Sequence, residues 1–242
     1  APNTYYDMTA NLNVKNYDGD HYCMWDAQEQ YWKGHEWNNG GSQPTLKIGL
    51  PGATTSSDYA QSNADLNNRW YHEGGGSGRF DATQSCAGLP NANEMSWYCM
   101  YGDPRWDADE LWTTMGHLYK GGMWFKKKSV LQGEHHYDTE KSADGTTDLR
   151  TTSASYNNSS SSITTSGHPF AADAGNYFYL PALGNYDSGQ LGDVGNGGGY
   201  WSSSVRPWNS AYAYGLRFSS GNVGVSYLNL RNLGHRVEPT LE

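Results

Sequence analysis

Few side chains in this sequence stand at spacings that do chemistry, and each candidate has a plainer use. Glu134-His135-His136 sets two imidazoles beside a carboxylate, the donor types of a transition-metal site. Adjacent histidines point different ways on most backbones, so the run reads as a solvated loop. Asp18-Gly19-Asp20 opens like a calcium loop, but the later positions carry no acidic ligands. A structural calcium ion elsewhere stays open, and no other cofactor is expected. The serines of Trp201-Ser202-Ser203-Ser204 lack the G-x-S-x-G turn and a histidine at a recognisable spacing, so they do not read as nucleophiles. Asp107 and Asp109 read as charges in the first turn of a helix rather than as an acid/base pair. Lys126-Lys127-Lys128 reads as a solvated face. The glycine-rich run 195–199 reads as a flexible loop without the Lys and Ser/Thr of a phosphate cradle. Cys23, Cys86 and Cys99 are an odd number with no C-x-x-C pair, so buried free thiols are expected. No residue is assigned a catalytic role, and an enzyme is not expected.

The elements that would position these residues are mostly strands. Residues 1–37 look β-rich and aromatic, with Asn11–Tyr17 alternating like a half-buried strand before a turn at 17–20. Residues 38–84 are polar and glycine-rich, and read as loops around one short segment at 45–51. A helix is expected from Asn91 or Asn93, with Glu94 in its first turn and Met95, Tyr98 and Cys99 at helical spacing; Gly102-Asp103-Pro104 would stop it. A second helix is expected from Asp107 or Asp109, carrying Leu111, Trp112, Met115 and Leu118 on one side and ending at Lys120-Gly121-Gly122. Residues 138–168 are polar and of low complexity, expected as a long surface loop or a partly ordered insertion. Strand signals return at 176–181, 198–204, 211–220, 222–228 and 234–239, with a hairpin turn at 219–222. Two helices followed by a β-rich half predict an α+β fold.

Length and composition bound the function. The 242 residues suit one large domain or two small ones. Mean hydropathy is low, but 10 Trp and 19 Tyr can support a core that is poor in aliphatics. The net charge of −9 argues against nucleic acid and anionic membrane surfaces as partners. No apolar run of about 18 residues occurs, so no membrane insertion is expected. The opening segment does not read as a signal peptide, so either the protein is not secreted or a leader was removed. The final Leu241-Glu242 reads as a vector-encoded addition.

One stretch departs from the rest. Lys, Gln, Met and Glu number 30 over the chain, yet none falls in residues 191–237, which hold four of the eight arginines. What remains is Tyr, Ser, Gly, Asn and Arg with Trp201 and Trp208, the palette of binding loops: large contact area at low entropy cost, with adaptable hydrogen bonding. In 211–218 the alternation puts Tyr212, Tyr214, Leu216 and Phe218 on one face, and Ala211, Ala213, Gly215 and Arg217 on the other.

The segments GLPNANEM (88–95), GGMWF (121–125), YFYLPALG (177–184), GGYWSSS (198–204), AYAYGLRFSSGNVGV (211–225) and GHRV (234–237) occur in the order seen in the Fibrobacter succinogenes major paralogous domain family, which this chain resembles over roughly residues 85–238. The resemblance implies a C-type-lectin-like α+β fold with two helices, small antiparallel sheets and long irregular loops. The organisation would be a β- and loop-rich extension over 1–84, a lectin-like domain over 85–238 with 138–168 inserted, and a tail over 239–242. The same fold is used by the formylglycine-generating enzyme, whose C-terminal cysteine pair has no counterpart after Cys99. Calcium-dependent sugar lectins carry EPN or QPD with WND, which are absent here. The C-terminal stretch is similar to that of the variable proteins of diversity-generating retroelements. Their adenine-directed mutagenesis of Asn codons cannot yield Lys, Glu, Gln, Met or Trp, so Trp208 departs from that pattern. This likeness makes Trp201, Ser202, Ser203, Phe218, Gly234 and Arg236 scaffold. It makes Arg206, Trp208, Asn209, Ser210, Tyr212, Tyr214, Arg217, Asn222, Ser226, Tyr227, Leu228, Leu230 and Asn232 displayed ligand-binding positions, though Tyr212 and Tyr214 would face the core if the alternation decides. It implies a ligand-binding protein on a cell or phage surface, whose partner is a surface protein or glycan; a monomer is expected. The alternatives are a lectin-fold enzyme of the formylglycine-generating type and a fixed structural or adhesin paralogue.

Overall fold

Aromatic side chains fill the interior. Trp25, Trp32, Trp112, Trp201, Tyr98, Tyr186, Tyr200 and Tyr214 are each almost wholly buried. Such a side chain removes roughly 150–250 Å² from water, which offsets the shortage of Leu, Ile and Val. The computed structural model describes residues 14–39, 57–75, 78–159 and 161–238. The segment expected at 45–51 and the tail 239–242 lie outside them.

In chain order the elements are β1 (Lys15–Tyr17), β2 (Tyr22–Cys23), α1 (Ala92–Tyr101), β3 (Arg105–Thr114), β4 (His117–Lys126), α2 (Lys128–Gly133), β5 (Tyr156–Ser159), β6 (Tyr177–Pro181), β7 (Leu183–Asp187), β8 (Gln190–Val194), β9 (Gly197–Val205), β10 (Tyr212–Ser219), β11 (Asn222–Leu230) and β12 (His235–Arg236). The fold is α+β and mostly β. One sheet runs β1-β3-β4-β6. The other runs β2-β12-β9-β10-β11-β5, with β7 pairing both β8 and β9. The strands expected from 176 onward are present, and residues 219–222 close the β10–β11 hairpin.

The first helix forms as its cap residues dictate. The Asn91 side chain accepts the Glu94 N–H, and the Glu94 carboxylate accepts the Asn91 N–H at 2.7 Å. This reciprocal box satisfies two N–H groups that the helix cannot pair itself. Gly102 follows the last helical residue, Tyr101.

The second expected helix is not one. Residues 105–126 form the β3–β4 hairpin, closed by Met115 and Gly116, both at positive φ (46° and 75°). That is the two-residue turn whose twist matches paired strands. Trp112 is buried, while Leu111 and Leu118 face outward, so the apolar spacing that resembled a helix stripe serves a sheet. The acidic residues at 107–110 make a bulge: three β3 residues stand opposite Gly121 alone, and Asp107 Oδ1 accepts the N–H groups of Asp109 and Glu110. Asp107 thus holds a bend in a strand, not a helix start. The second helix is the short α2, which begins inside the lysine run that read as a solvated face.

The low-complexity segment is tied down more than its composition suggests. Leu149 and Arg150 are buried, and β5 adds to the edge of β11. The wholly buried Asn93 of α1 donates to Asp148 and accepts the Leu149 N–H, while Trp97 Nε1 donates to the Lys141 carbonyl. The two N-terminal strands join the sheets formed by the later chain, β1 beside β3 and β2 beside β12.

Candidate ligand-binding face

The serines of the Trp201–Ser204 run serve a bulge. Between the pairs Gly215–Trp201 and Ala213–Val205, one residue of β10 stands opposite three of β9. Ser202 Oγ donates within this bulge, where the Tyr214 and Ser204 carbonyls lie at 3.0 and 3.2 Å, and accepts the Ser204 N–H. Ser204 Oγ accepts the Ala92 N–H at the start of α1. The Ser202 hydroxyl replaces ladder partners that the bulge removes, and the Ser204 hydroxyl takes an N–H that the start of α1 leaves unpaired, so two of the three serines in this buried strand are used by the backbone.

The opposite edge of β10 is bulged too. Tyr214 alone stands between the pairs Gly215–Ser226 and Ala213–Asn229, facing Tyr227 and Leu228 of β11. The extra residue breaks the alternation. Leu228 is 59% exposed and Leu230 42% exposed, while Tyr227 lies half-buried with its ring edge-on to Tyr214 at 6.1 Å.

These two bulges build one surface at the open end of the hairpin. The Arg206 guanidinium lies 4.5 Å from the Tyr227 ring centroid and 5.5 Å from that of Tyr212. Among the described residues this stacking holds the arginine without an ion pair. Trp208, at φ 68°, projects outward with 70% of its surface exposed, its Nε1 3.4 Å from the Thr151 carbonyl. Asn209 caps the loop by accepting the Ala211 N–H, and Ser226 Oγ accepts the Leu228 N–H. Ser210 and Asn232 are exposed.

Three positions expected in the displayed set lie elsewhere. Tyr214 is fully buried: its hydroxyl accepts the Ala154 N–H and donates at 3.1 Å to the Ala154 carbonyl, so it belongs to the core, as the alternation had it. Tyr212 is only half-buried. Arg217 and Asn222 sit at the turn end of the hairpin, where they donate to Asn185 and Asn157. There they line a separate polar groove with Asp193 and Asn196. The positions assigned to the scaffold, Trp201, Ser202, Ser203, Phe218, Gly234 and Arg236, are all buried.

Arg231 was not legible as a site residue, since nothing in the residues beside it marks its partners. It is fully buried, lies 4.8 Å from the Trp25 ring, and donates to the carbonyls of Tyr212, His72 and Gly74. Burial lowers its pKa to about 10, which leaves it cationic at neutral pH. It joins the open end of the hairpin to the segment 72–74. Asp26, also buried, accepts the N–H groups of Thr83, Gln84 and Cys86 and pairs with His72.

The remaining candidates for chemistry are occupied by structure. Burial pushes the thiols of Cys23 and Cys99 up to about 12 and that of Cys86 well above its ordinary value. All three are free and buried. His136 stacks on Tyr101 at 4.2 Å, and His21 pairs with Asp18. Among the described residues no group of three or more His, Cys, Asp or Glu is arranged to hold a metal, and no helix is long and apolar enough to cross a membrane. Among known proteins, no family model, curated protein or solved structure matches the chain.

Proposed function

We propose that this chain is a non-enzymatic ligand-binding domain whose contact surface is the open end of the β10–β11 hairpin. The observation that carries this reading is the stack of Arg206 on Tyr212 and Tyr227, with Trp208, Leu228 and Leu230 turned outward beside it. Arg, Trp and Tyr dominate binding hot spots, and a rigid backbone beneath them lowers the entropy lost on binding. Exposed aromatic and aliphatic side chains over a broad face fit a protein surface better than a small molecule, so a surface protein is the first partner class and a glycan the second. The family resemblance supports a C-type-lectin-like arrangement, a place outside the cell or on a phage particle, and diversification of the exposed codons by a retroelement.

A binding array of surface-protein ectodomains and glycans tests this, with Trp208→Ala run in parallel. The wild type should bind a defined ectodomain or glycan, and Trp208→Ala should weaken it about 30-fold, or about 2 kcal/mol. Binding that Trp208→Ala leaves unchanged would remove this face from the account.

A further inference from the structure

Away from the hairpin, the segment 63–73 folds into a cleft of about 230 Å³ that the candidate face does not use. Its wall combines two aromatic rings with four amides. Trp70 and Tyr71 lie 4.7 Å apart between centroids, both partly exposed. Gln28, Asn63, Asn68 and Gln84 line the same cleft. We infer that this cleft is a binding site for a single neutral sugar ring.

The polar groups are set in place before any ligand arrives. Glu73 accepts the Trp70 indole N–H at 2.9 Å with one oxygen and the Asn63 amide at 3.0 Å with the other. A carboxylate has about four lone-pair positions, so two remain to accept hydroxyl protons. The loop beneath is held by Arg69, which is almost fully buried, binds both oxygens of Asp65 and donates to the Asp58 carbonyl. Gln84 is held in the wall by its amide nitrogen, which lies 3.3 Å from His72 Nδ1.

Charge and size narrow the ligand. Among the described residues no Lys or Arg lines the cleft, Asp65 is paired with Arg69, and His72 faces Asp26. A phosphate or carboxylate would therefore meet Glu73 with no cation to receive it. An organic cation would use Glu73 and the rings but leave the amides unmatched, a mismatch that sites built for hydrogen bonding reject strongly. A sugar uses both halves: apolar C–H faces against the rings, and hydroxyls that donate and accept against amides and carboxylate. The volume lies below the roughly 300–1,000 Å³ of drug-sized sites, which suits one ring.

Saturation-transfer difference NMR on the full chain tests this with glucose, galactose, mannose, fucose and N-acetylglucosamine at millimolar concentration, and with choline as the cationic probe. At least one sugar should receive saturation. Trp70→Ala and Asn63→Ala should each weaken that sugar about tenfold, while Trp208→Ala leaves it unchanged. Asn63 is exposed, so its variant keeps the test valid if Trp70→Ala fails to fold. Transfer to none of the sugars, transfer insensitive to Asn63→Ala, or transfer to choline alone would each overturn the inference. Loss with Trp208→Ala alone would assign the sugar to the hairpin face instead.

Discussion

At the scale of single residues, the same side-chain types do opposite things in different bonds. Asp148 shows how a carboxylate becomes a structural pin. Partial burial alone would raise its pKa, but the Arg150 guanidinium and the Asn93 amide outweigh burial and hold it at about 2, against an ordinary value of 3.8. The folded state therefore binds this proton less readily than the unfolded chain. Its stabilising contribution is complete above about pH 4 and is lost as pH falls through 2. Asp148→Asn should lower the Tm at pH 7, and its gap from the wild type should close between pH 4 and 2, measured by circular dichroism. The composition singles out a stretch rich in Arg, Tyr and Trp, within which Arg206 stacks on Tyr227 and Trp208 is exposed. The period-two alternation already turns Tyr214 inward with Leu216 and Phe218, against the likeness that displays it, whereas the bulge that sets Tyr227 and Leu228 opposite it is invisible to such a period.

At the scale of elements, local chemistry was legible where it was complete within a few residues. Of the two caps the sequence leaves open, Asn91 and Asn93, the box with Glu94 selects Asn91, and Asn91→Ala should cost about 1 kcal/mol. Urea unfolding would measure this as a lowered midpoint at unchanged slope. The β3–β4 hairpin was misread because Leu111, Trp112, Met115 and Leu118 recur at helical spacing and the turn lacks the usual Asn-Gly or Asp-Gly pair. Thr113 and Thr114 were the β-branched signal against a helix. The bulge at Asp107 also interrupts the strand alternation that would have marked β3.

At the scale of the whole molecule, the contacts that organise the surface link residues far apart in sequence, and no local pattern announces them. Arg231 binds carbonyls at 72, 74 and 212, and Asp26 gathers amides from 83–86. Arg231→Lys keeps the charge but not the planar fork. It should destabilise the chain by about 2 kcal/mol, since bonds from charged donors contribute about 1.5–3 kcal/mol. Denaturation would read this loss, and a fully stable Arg231→Lys protein would mean that the three carbonyls do not depend on the guanidinium. The same buried arginine ties the open end of the hairpin to the segment 72–74, which leads from the Trp70 cleft.

The most direct test of the central claim is an alanine profile of affinity for whichever array partner is found, taken along the hairpin from one end to the other. Arg206→Ala, Trp208→Ala and Tyr227→Ala should weaken binding, Trp208→Ala by about 30-fold, while Arg217→Ala and Asn222→Ala at the turn end should stay within about fivefold of the wild type. Loss confined to Arg217 and Asn222, with the open end indifferent, would contradict the account and move the ligand to the polar groove at the turn.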